Sequence, residues 1–370
     1  MPYINIKTGI LASIIGFILI IYPALAQDLT SPPVPSGIPI GDEDFIAPDA
    51  RLERLVRGRD FGMASLGNVA VGCDGYVYFS DIKFSNSSAS ITPRGTQAAG
   101  VIWRYDPETG STGVFRSPNG MANGIAFDAA CDMLVAEGAD FGGRRITRTY
   151  MPRPESQPES PLRLQPGLAD IVAGLFNEAS FNAPNDLVID EQGRIYFTDP
   201  HYTGHEPVEQ EVNGVYRIDM DGTVHRIISE LIQPNGIALS ADQRTLYVAD
   251  FSNRGEGDAL IAYDLRANGS VALREVLIAY PQRGADGMAV DTEGNLWTAV
   301  LDTSRPGIYA YTPEGEERAY IPLNSPFGTA FGRGSQRHVL YITASNNLHR
   351  IIVRKEGYHL PTSVEGSRKP

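Results

Sequence analysis

Side chains that carry an oxygen atom recur at one position of a repeated pattern, and their types suit metal chemistry. Asn123, Asn185, Asn235 and Asp286 each begin a short apolar run, and they are separated by 62, 50 and 51 residues. Amide and carboxylate oxygens favour hard cations such as Ca²⁺ and Mg²⁺ over zinc. A cation held in this way can polarise an ester carbonyl and lower the pKa of bound water.

The candidate roles follow from these residue types. Asn185, Asn235 and Asp286 are candidate metal ligands, and Asp286 can serve either as a ligand or as the catalytic general base. Asn185, Asn123 and the loop residue His201 are the predicted substrate contacts. An Asn or Asp followed by Gly or Asp is also an ordinary turn signal, so one copy alone would be interpreted as a turn. No G-x-S-x-G motif is present, which favours metal-dependent hydrolysis without a covalent intermediate.

Each candidate residue starts a predicted β-hairpin. In residues 185–199 (NDLVIDEQGRIYFTD), an apolar strand is followed by turn chemistry in which Gly193 supplies a positive φ. A second apolar strand then returns to the starting edge. Asn185 and Asp199 are therefore expected at the same end of the hairpin, where a site can be built.

The hairpin recurs six times, which predicts the fold. Its first residues are spaced by 41 to 62 residues and are Gly67, Asn123, Asn185, Asn235, Asp286 and Phe327. A second, more alternating strand pair follows in most copies. Four antiparallel strands per repeat predict an all-β, six-bladed β-propeller in which the first strands line the axis. The last repeat is one strand short, and we expect residues 52–56 to complete it and close the ring.

The ends of the chain are predicted to lie outside the propeller, which is assigned to residues 51–362. Residues 1–26 are typical of a signal peptide, with an apolar run and an A-x-A cleavage motif that ends at Ala26. An uncleaved anchor is the alternative, and either one predicts a secreted or periplasmic domain. Residues 27–50 form a Pro-rich leader, and residues 363–370 form a polar tail.

Composition limits the partners. The net charge of −13 over 370 residues argues against nucleic acid as a partner. No later segment is apolar enough to cross a membrane. We expect a monomer or weak oligomer.

Cys73 and Cys131 occur in equivalent turns of the first two repeats, and a disulfide and two separate thiols both remain open. Residues 151–182 are interpreted as an insertion in which residues 167–174 form a helical turn.

At these motifs the chain resembles the family of regucalcin, senescence marker protein and gluconolactonase, which are six-bladed calcium propellers. The motifs are Pro184-Asn185-Asp186 followed by YFTDP, then Pro234-Asn235-Gly236 and Asp286-Gly287-Met288, and the resemblance covers about residues 55–350. It implies a lactonase that opens a small sugar-type lactone with one divalent cation. Ca²⁺ is expected, with Mg²⁺, Mn²⁺ or Zn²⁺ as alternatives. The resemblance also implies that the Asn235 and Asp286 positions hold the metal and that Asn185 contacts substrate or metal-bound water.

The first repeat departs from that family pattern. The family usually has Glu-Gly-Pro there, and its Glu is a metal ligand, whereas residues 65–69 read SLGNV in this chain. Loss of one anionic ligand is expected to weaken cation binding, and Asn68 or Glu137 is a candidate replacement. The alternative functions are a ligand-binding propeller without catalysis and a paraoxonase-like or strictosidine-synthase-like enzyme.

Overall fold

The computed structural model describes residues 38–152, 168–252 and 257–362. The predicted signal peptide, residues 27–37 of the leader and the polar tail lie outside these ranges. The described residues form 27 β-strands and three short 3₁₀ turns, Gly58–Asp60, Ser88–Ser90 and Gly334–Gln336. No helix among them is long and apolar enough to cross a membrane.

Six antiparallel sheets form the six-bladed β-propeller that the repeats predict. Strands β1 (Ile40–Gly41) and β2 (Glu53–Arg57) come first in the chain. Blade 1 contains β3–β6 (Ser65–Val71, Val77–Ile82, Val101–Tyr105, Thr112–Arg116), and blade 2 contains β7–β10 (Ala122–Phe127, Met133–Glu137, Arg145–Thr149, Ala169–Ala173). A small hairpin, β11 (Leu175–Phe176) and β12 (Ala179–Ser180), follows.

The remaining four blades repeat this order. Blade 3 contains β13–β16 (Leu187–Ile189, Ile195–Asp199, Gly214–Ile218, Val224–Ile228), and blade 4 contains β17–β20 (Pro234–Leu239, Thr245–Asp250, Ala259–Leu265, Val271–Ala279). Blade 5 contains β21–β24 (Ala285–Val290, Leu296–Val300, Gly307–Tyr311, Glu317–Pro322), and blade 6 contains β25–β27 (Pro326–Phe331, Val339–Ala344, Asn347–Ile352).

The N-terminal strand closes the ring, which confirms the prediction for residues 52–56. Strand β2 pairs antiparallel with β27 as the fourth strand of blade 6. Its Val56 is 1% exposed and joins an apolar cluster that reaches blade 1. The propeller also begins earlier than the predicted boundary at residue 51. Strand β1 pairs with β24 as a fifth strand of blade 5, and Phe45 and Ile46 are buried.

The core lies between blades because the inner strands bury both of their faces. Strands β14 and β18 have no exposed residue, since each blade packs on the next along the ring. One interblade cluster joins Tyr196 of blade 3 to Ile237 and Val248 of blade 4. On the turn side of blades 1 and 2, Cys73 and Cys131 form a disulfide whose Cα atoms are 5.8 Å apart.

The expectation of a helical turn at residues 167–174 is wrong. Within that segment Ala169–Ala173 forms β10, the outer strand of blade 2, and pairs antiparallel with Arg145–Thr149. The β-branched side chains of Ile171 and Val172 suit a strand better than a helix, and β9 offers an unpaired edge to it. Residues 153–167 of the predicted insertion lie outside the described ranges.

Candidate active site at the mouth of the channel

A bulge lies at the start of almost every inner strand, where the candidate residues stand. The strand register shifts between Ala122 and Ile125 in blade 2, and equivalent shifts occur in blades 1, 4, 5 and 6. A bulge bends its strand and redirects side chains locally. The Asn-Gly and Asp-Gly pairs, which also read as turn signals, therefore belong to bulged strand starts.

Close backbone contacts bring these strand starts together around the axis. A Cβ added to Gly236 would lie 2.1 Å from the backbone oxygen of Asp286, and one added to Gly124 would lie 2.8 Å from that of Asn185. Glycine is required there because any side chain would collide with the next blade. Second-strand hydroxyls also join the blades, and that of Thr198 donates to the Asn235 backbone oxygen at 2.7 Å.

Asn185 and Asn235 each present an amide oxygen that lacks a protein partner. In the described part of the chain, the Oδ1 atoms of both residues are buried without a hydrogen bond. An unpaired buried polar atom is costly and is normally satisfied by a partner. Asp286 lies beside Asn235, whose side-chain amide helps to stabilise the ionised carboxylate. The unpaired oxygens make this mouth the candidate binding site.

Asp186 forms the floor below this mouth and was not identified from the sequence as a site residue. Its Oδ1 atom accepts a hydrogen bond from the Asn68 side chain across the axis at 2.8 Å, and its Oδ2 atom accepts one from the Ile237 backbone at 3.2 Å. The positions equivalent to Asp186 in four other blades are glycines, which leave room for the Asn68–Asp186 pair. The pair stands between the mouth and a cavity of about 180 Å³ on the other side.

The space beside the first-repeat position is taken up by a side chain of blade 2. A Cβ added to Gly67 would lie 2.2 Å from the Oδ1 atom of Asn123, so the Asn123 side chain would have to shift to admit one. Asn123 Oδ1 accepts a hydrogen bond from the backbone of Asn68 at 3.0 Å. Asn123 therefore lies at the mouth as predicted, although its amide oxygen is bonded to blade 1.

Burial raises the pKa values of the two axial carboxylates, and the charge of Asp186 raises that of Asp286 further. Burial, followed by the charge of Asp186, raises the pKa of Asp286 to about 8, against smaller opposite effects of Arg283 and Asn235. Burial raises the pKa of Asp186 to about 6, although hydrogen bonds from the Leu187 and Ile237 backbones and from Asn68 oppose it. A site with two unneutralised carboxylates favours a positive ligand.

The structure does not bring Glu137 to this set. Its carboxylate accepts hydrogen bonds from Arg145 at 2.8 Å and from the Thr147 hydroxyl at 2.9 Å, and it forms an ion pair with Arg116. Glu137 is fully buried in that network. Asn68 is the other candidate replacement. Its side chain donates a hydrogen bond to Asp186, so Asn68 acts on the site through that carboxylate.

Asp199 braces the loop ahead of Asn185 and does not face the axial set. Its carboxylate accepts hydrogen bonds from the backbone N–H groups of Asn182 and Ala183 at 2.9 and 2.7 Å. Asp250 holds the loop ahead of Asn235 in the same way. Burial raises the pKa of Asp199 to about 7.

The loop after Asp199 adds two side chains near the site. His201 is anchored by backbone hydrogen bonds to Asn213 and Gln233, and in the described residues its Nε2 atom is buried without a partner. The Tyr202 hydroxyl donates to the Gln233 backbone oxygen at 3.0 Å. Burial, followed by the charge of Asp286, holds the pKa of Tyr202 well above its usual value. Sequence patterns gave no signal for Tyr202, because it lies in a loop without a repeat.

These residues fit a hard divalent cation. No three His, Cys, Asp or Glu side chains converge on a metal site anywhere in the described ranges. The axial set instead combines two carboxylates, Asp186 and Asp286, with the unpaired amide oxygens of Asn185 and Asn235. Oxygen-only sets with this charge are typical of Ca²⁺ and Mg²⁺. The roles of individual residues as ligands or bases stay predictions.

Comparisons with known proteins agree with this geometry. The family model described as "SMP-30/Gluconolactonase/LRE-like region" matches residues 67–346. A gluconolactonase from Zymomonas mobilis is 32% identical over 296 residues, which cover 75% of this chain and 76% of that protein.

Solved structures show the same fold. A gluconolactonase from Xanthomonas campestris superposes with a TM-score of 0.68 at 23% identity, over 86% of this chain and 95% of that one. Regucalcin from Agrobacterium tumefaciens, a calcium-binding protein, gives a TM-score of 0.61 at 17% identity, over 85% and 97%. With the family match over most of the propeller, the chain belongs to the SMP-30/gluconolactonase/LRE-like family.

Proposed function

We propose that this protein is an exported hydrolase that opens small lactones with the help of one divalent cation, Ca²⁺ by preference. The observation that carries the proposal is the pair of buried, unpaired amide oxygens of Asn185 and Asn235 next to the Asp286 carboxylate. The similarity to the Zymomonas mobilis gluconolactonase supports the same reaction class. The predicted signal peptide supports export.

The reaction adds water to the lactone carbonyl and breaks the ring C–O bond, so that the products are a free hydroxyl and a carboxylate. A bound cation would polarise the carbonyl and make the attacking water more acidic. Asp286 lies where it can bind the cation or accept the proton of that water, and the nearby charge of Asp186 raises its proton affinity. Asn185, Asn123 and His201 are placed to orient the substrate.

Asp186 supplies the negative charge that the first repeat lacks. Position 67 carries no carboxylate, and blade 3 supplies one to the axial floor instead. Asp186 already accepts hydrogen bonds from Asn68, Leu187 and Ile237, so we assign it a positioning and electrostatic role below the cation. Two nearby carboxylates would together balance the charge of a divalent cation.

Metal analysis of the purified protein together with a lactone panel tests the proposal. We expect about one divalent cation per chain, hydrolysis of at least one small lactone, and loss of that activity with a chelator. Asn235→Ala and Asp286→Ala should each lower kcat/KM by at least about 100-fold, because each removes a group from the reacting centre. Asp221→Ala, which changes an exposed turn carboxylate of blade 3, is the matched control.

Two results would contradict the proposal. Cation binding without turnover of any lactone would favour the alternative of a ligand-binding propeller. Turnover that survives both the chelator and Asp286→Ala would place the chemistry elsewhere.

A further inference from the structure

A second cavity opens on the same face of the propeller, beside the inner strand that carries Asn123. It has a volume of about 250 Å³ and is lined by Ala98, Ala99, Pro118, Met121 and Phe141, together with Gln97 and Asp140. Met121 lies close to the chain that leads into Asn185, since a Cβ added to Gly138 would contact the backbone oxygens of both Met121 and Pro184, at 3.1 and 3.7 Å. An apolar cavity of roughly 150 Å³ holds one benzene molecule, so this cavity is large enough for a short alkyl chain or an aromatic ring.

An exposed aromatic side chain stands at the edge of this cavity in an unfavourable backbone conformation. Phe141 is 65% exposed, and its ring lies 4.1 Å from that of His205. The φ angles of Asp140 and Phe141 are +64° and +69°, a left-handed conformation that bulky side chains rarely adopt. Such strain persists only when the surrounding structure holds it, and it concentrates at functional sites.

Contacts from two other blades hold this conformation. The Glu206 carboxylate in the blade 3 loop accepts hydrogen bonds from the backbone N–H groups of Asp140 and Phe141 at 2.9 and 2.7 Å. In blade 1, the Ser85 backbone and hydroxyl both donate to the Asp140 carboxylate, at 2.6 and 2.7 Å. Loops of three blades therefore fix the backbone that carries Phe141 before any ligand arrives, which lowers the entropy cost of binding.

The polar groups that line the cavity are already used inside the protein. Both Asp140 oxygens accept from Ser85, and the Gln97 amide donates to the Lys83 backbone oxygen. A ligand with several hydroxyl groups would lose its water contacts here and gain few hydrogen bonds in return. The surface that remains is made by methyl, methylene and aromatic groups, which favours an apolar ligand.

We propose that this cavity, with Phe141 as its wall, is a second subsite that binds the apolar substituent of a lactone whose ring lies at the Asn185–Asn235–Asp286 mouth. This inference rests on the proposed lactonase function and specifies its substrate class. The preferred substrates are lactones that carry an alkyl or aryl chain, and bare polyhydroxy lactones are poorer ones.

Kinetics with two lactones that differ only in an alkyl chain test the subsite. We expect kcat/KM for δ-decalactone, which carries a pentyl chain, to exceed that for δ-valerolactone by about tenfold or more, since burial of a few CH₂ groups supplies this energy. Phe141→Ala should remove most of that preference through a higher KM for δ-decalactone. It should leave δ-valerolactone unchanged. Ile352→Ala, which changes a side chain of similar exposure on β27, should retain the preference.

A binding measurement separates failure of the subsite from failure of the proposed function. Calorimetry with δ-valerolactam and its pentyl-substituted form does not depend on hydrolysis. If no lactone is turned over, tighter binding of the pentyl lactam that Phe141→Ala abolishes would still support the subsite. The proposal is overturned if both lactams bind equally, if Phe141→Ala affects both lactones equally, or if D-glucono-δ-lactone is the better substrate than δ-decalactone.

Discussion

At the scale of single residues, the axial floor shows how a missing ligand can be compensated from another blade. Position 67 is a glycine whose neighbouring space is filled by the Asn123 side chain, and the carboxylate of Asp186 enters the axis from blade 3. The cost is a carboxylate that is almost fully buried, stabilised by Asn68 and two backbone N–H groups. The charge of Asp186 and burial together oppose ionisation of Asp286, which therefore holds a proton until a cation replaces it or the pH rises.

This opposition to ionisation predicts how stability depends on pH in metal-free protein. The pKa of Asp286 is about 8 in the folded state and near its ordinary value of 3.8 when unfolded. The folded protein therefore holds an extra proton between these values. The stabilising contribution of this proton is complete below about pH 4 and is lost as pH rises towards 8.

Asp286→Asn removes this titration, so a comparison of the variant with the original protein should reveal its contribution to stability. In a chelator we expect the unfolding free energy of the variant, relative to the original protein, to rise from pH 4 to pH 8 by about 1–3 kcal/mol. This rise in relative unfolding free energy is smaller than the full pKa shift would give, because water reaches the mouth. Denaturant titrations at several pH values measure it. A constant difference across this range would mean that Asp286 is not a strained carboxylate.

Part of the site could be predicted from the sequence, and the limit has a physical cause. Repetition identified Asn123, Asn185, Asn235 and Asp286, because the same residue type returned at the same strand position. Asp186 has no such repeat, since its equivalents are Asn68 and four glycines. Its role depends on which way the chain turns the side chain ahead of strand β13, and the hydrophobic pattern does not record that.

At the scale of elements, each inner strand is positioned by the strand next to it. The last carboxylate of the second strand holds the loop that leads into the first strand, as Asp199 and Asp250 do. Hydroxyls at the preceding position reach the next blade: Ser80 donates to the Asn123 backbone oxygen at 2.7 Å, and Thr343 donates to that of Gly67 at 2.6 Å. The YFTDP motif is thus explained by support of the site and not by direct chemistry.

This support predicts that Asp199→Ala acts through the position of Asn185. The substitution leaves the backbone N–H groups of Asn182 and Ala183 without their acceptor, which should cost about 2–4 kcal/mol of unfolding free energy. It should also lower kcat/KM, while the pH profile of activity keeps its shape because Asp286 is intact. Asp221→Ala, at an exposed turn of the same blade, should change stability by less than about 0.5 kcal/mol. Equal effects of the two variants would contradict the inference that Asp199 positions Asn185.

The repeated hairpins were easier to predict from the sequence than the outer strand of a blade. The hairpins were recognised because short apolar runs alternate with turns in all six copies, and four of those turns contain Gly. The strand Ala169–Ala173 was mistaken for a helical turn because five residues show too little periodicity to distinguish the two. Its pairing edge on β9 decided the outcome, and that edge is a tertiary feature.

At the scale of the whole molecule, one covalent link and one strand closure hold the ring. The Cys73–Cys131 disulfide spans 58 residues and ties blade 1 to blade 2. A cross-link of that span restricts the unfolded chain enough to stabilise the fold by about 4 kcal/mol. We expect reductant to lower the unfolding free energy by a similar amount. The double variant Cys73→Ser with Cys131→Ser should start from the lower value and show no response to reductant.

Closure of the ring by β2 leads to a more specific prediction, because this strand affects both the stability of the fold and the axial site. Val56 is buried in a cluster that joins Tyr341 and Leu348 of blade 6 to Leu66 of blade 1. Val56→Asp would place an unpaired charge there and cost about 3 kcal/mol or more, whereas Arg54→Asp changes an exposed side chain of the same strand and should be nearly neutral.

Loosening the contact between blades 6 and 1 also affects the axis. Thr343 of blade 6 holds the Gly67 backbone, and the next residue, Asn68, holds Asp186. We therefore expect Val56→Asp to weaken cation binding, measured by calorimetry at a temperature where the variant is still folded, although Val56 lies on the outermost strand of its blade. If the folded variant binds the cation as tightly as Arg54→Asp does, the floor of the site does not depend on closure of the ring.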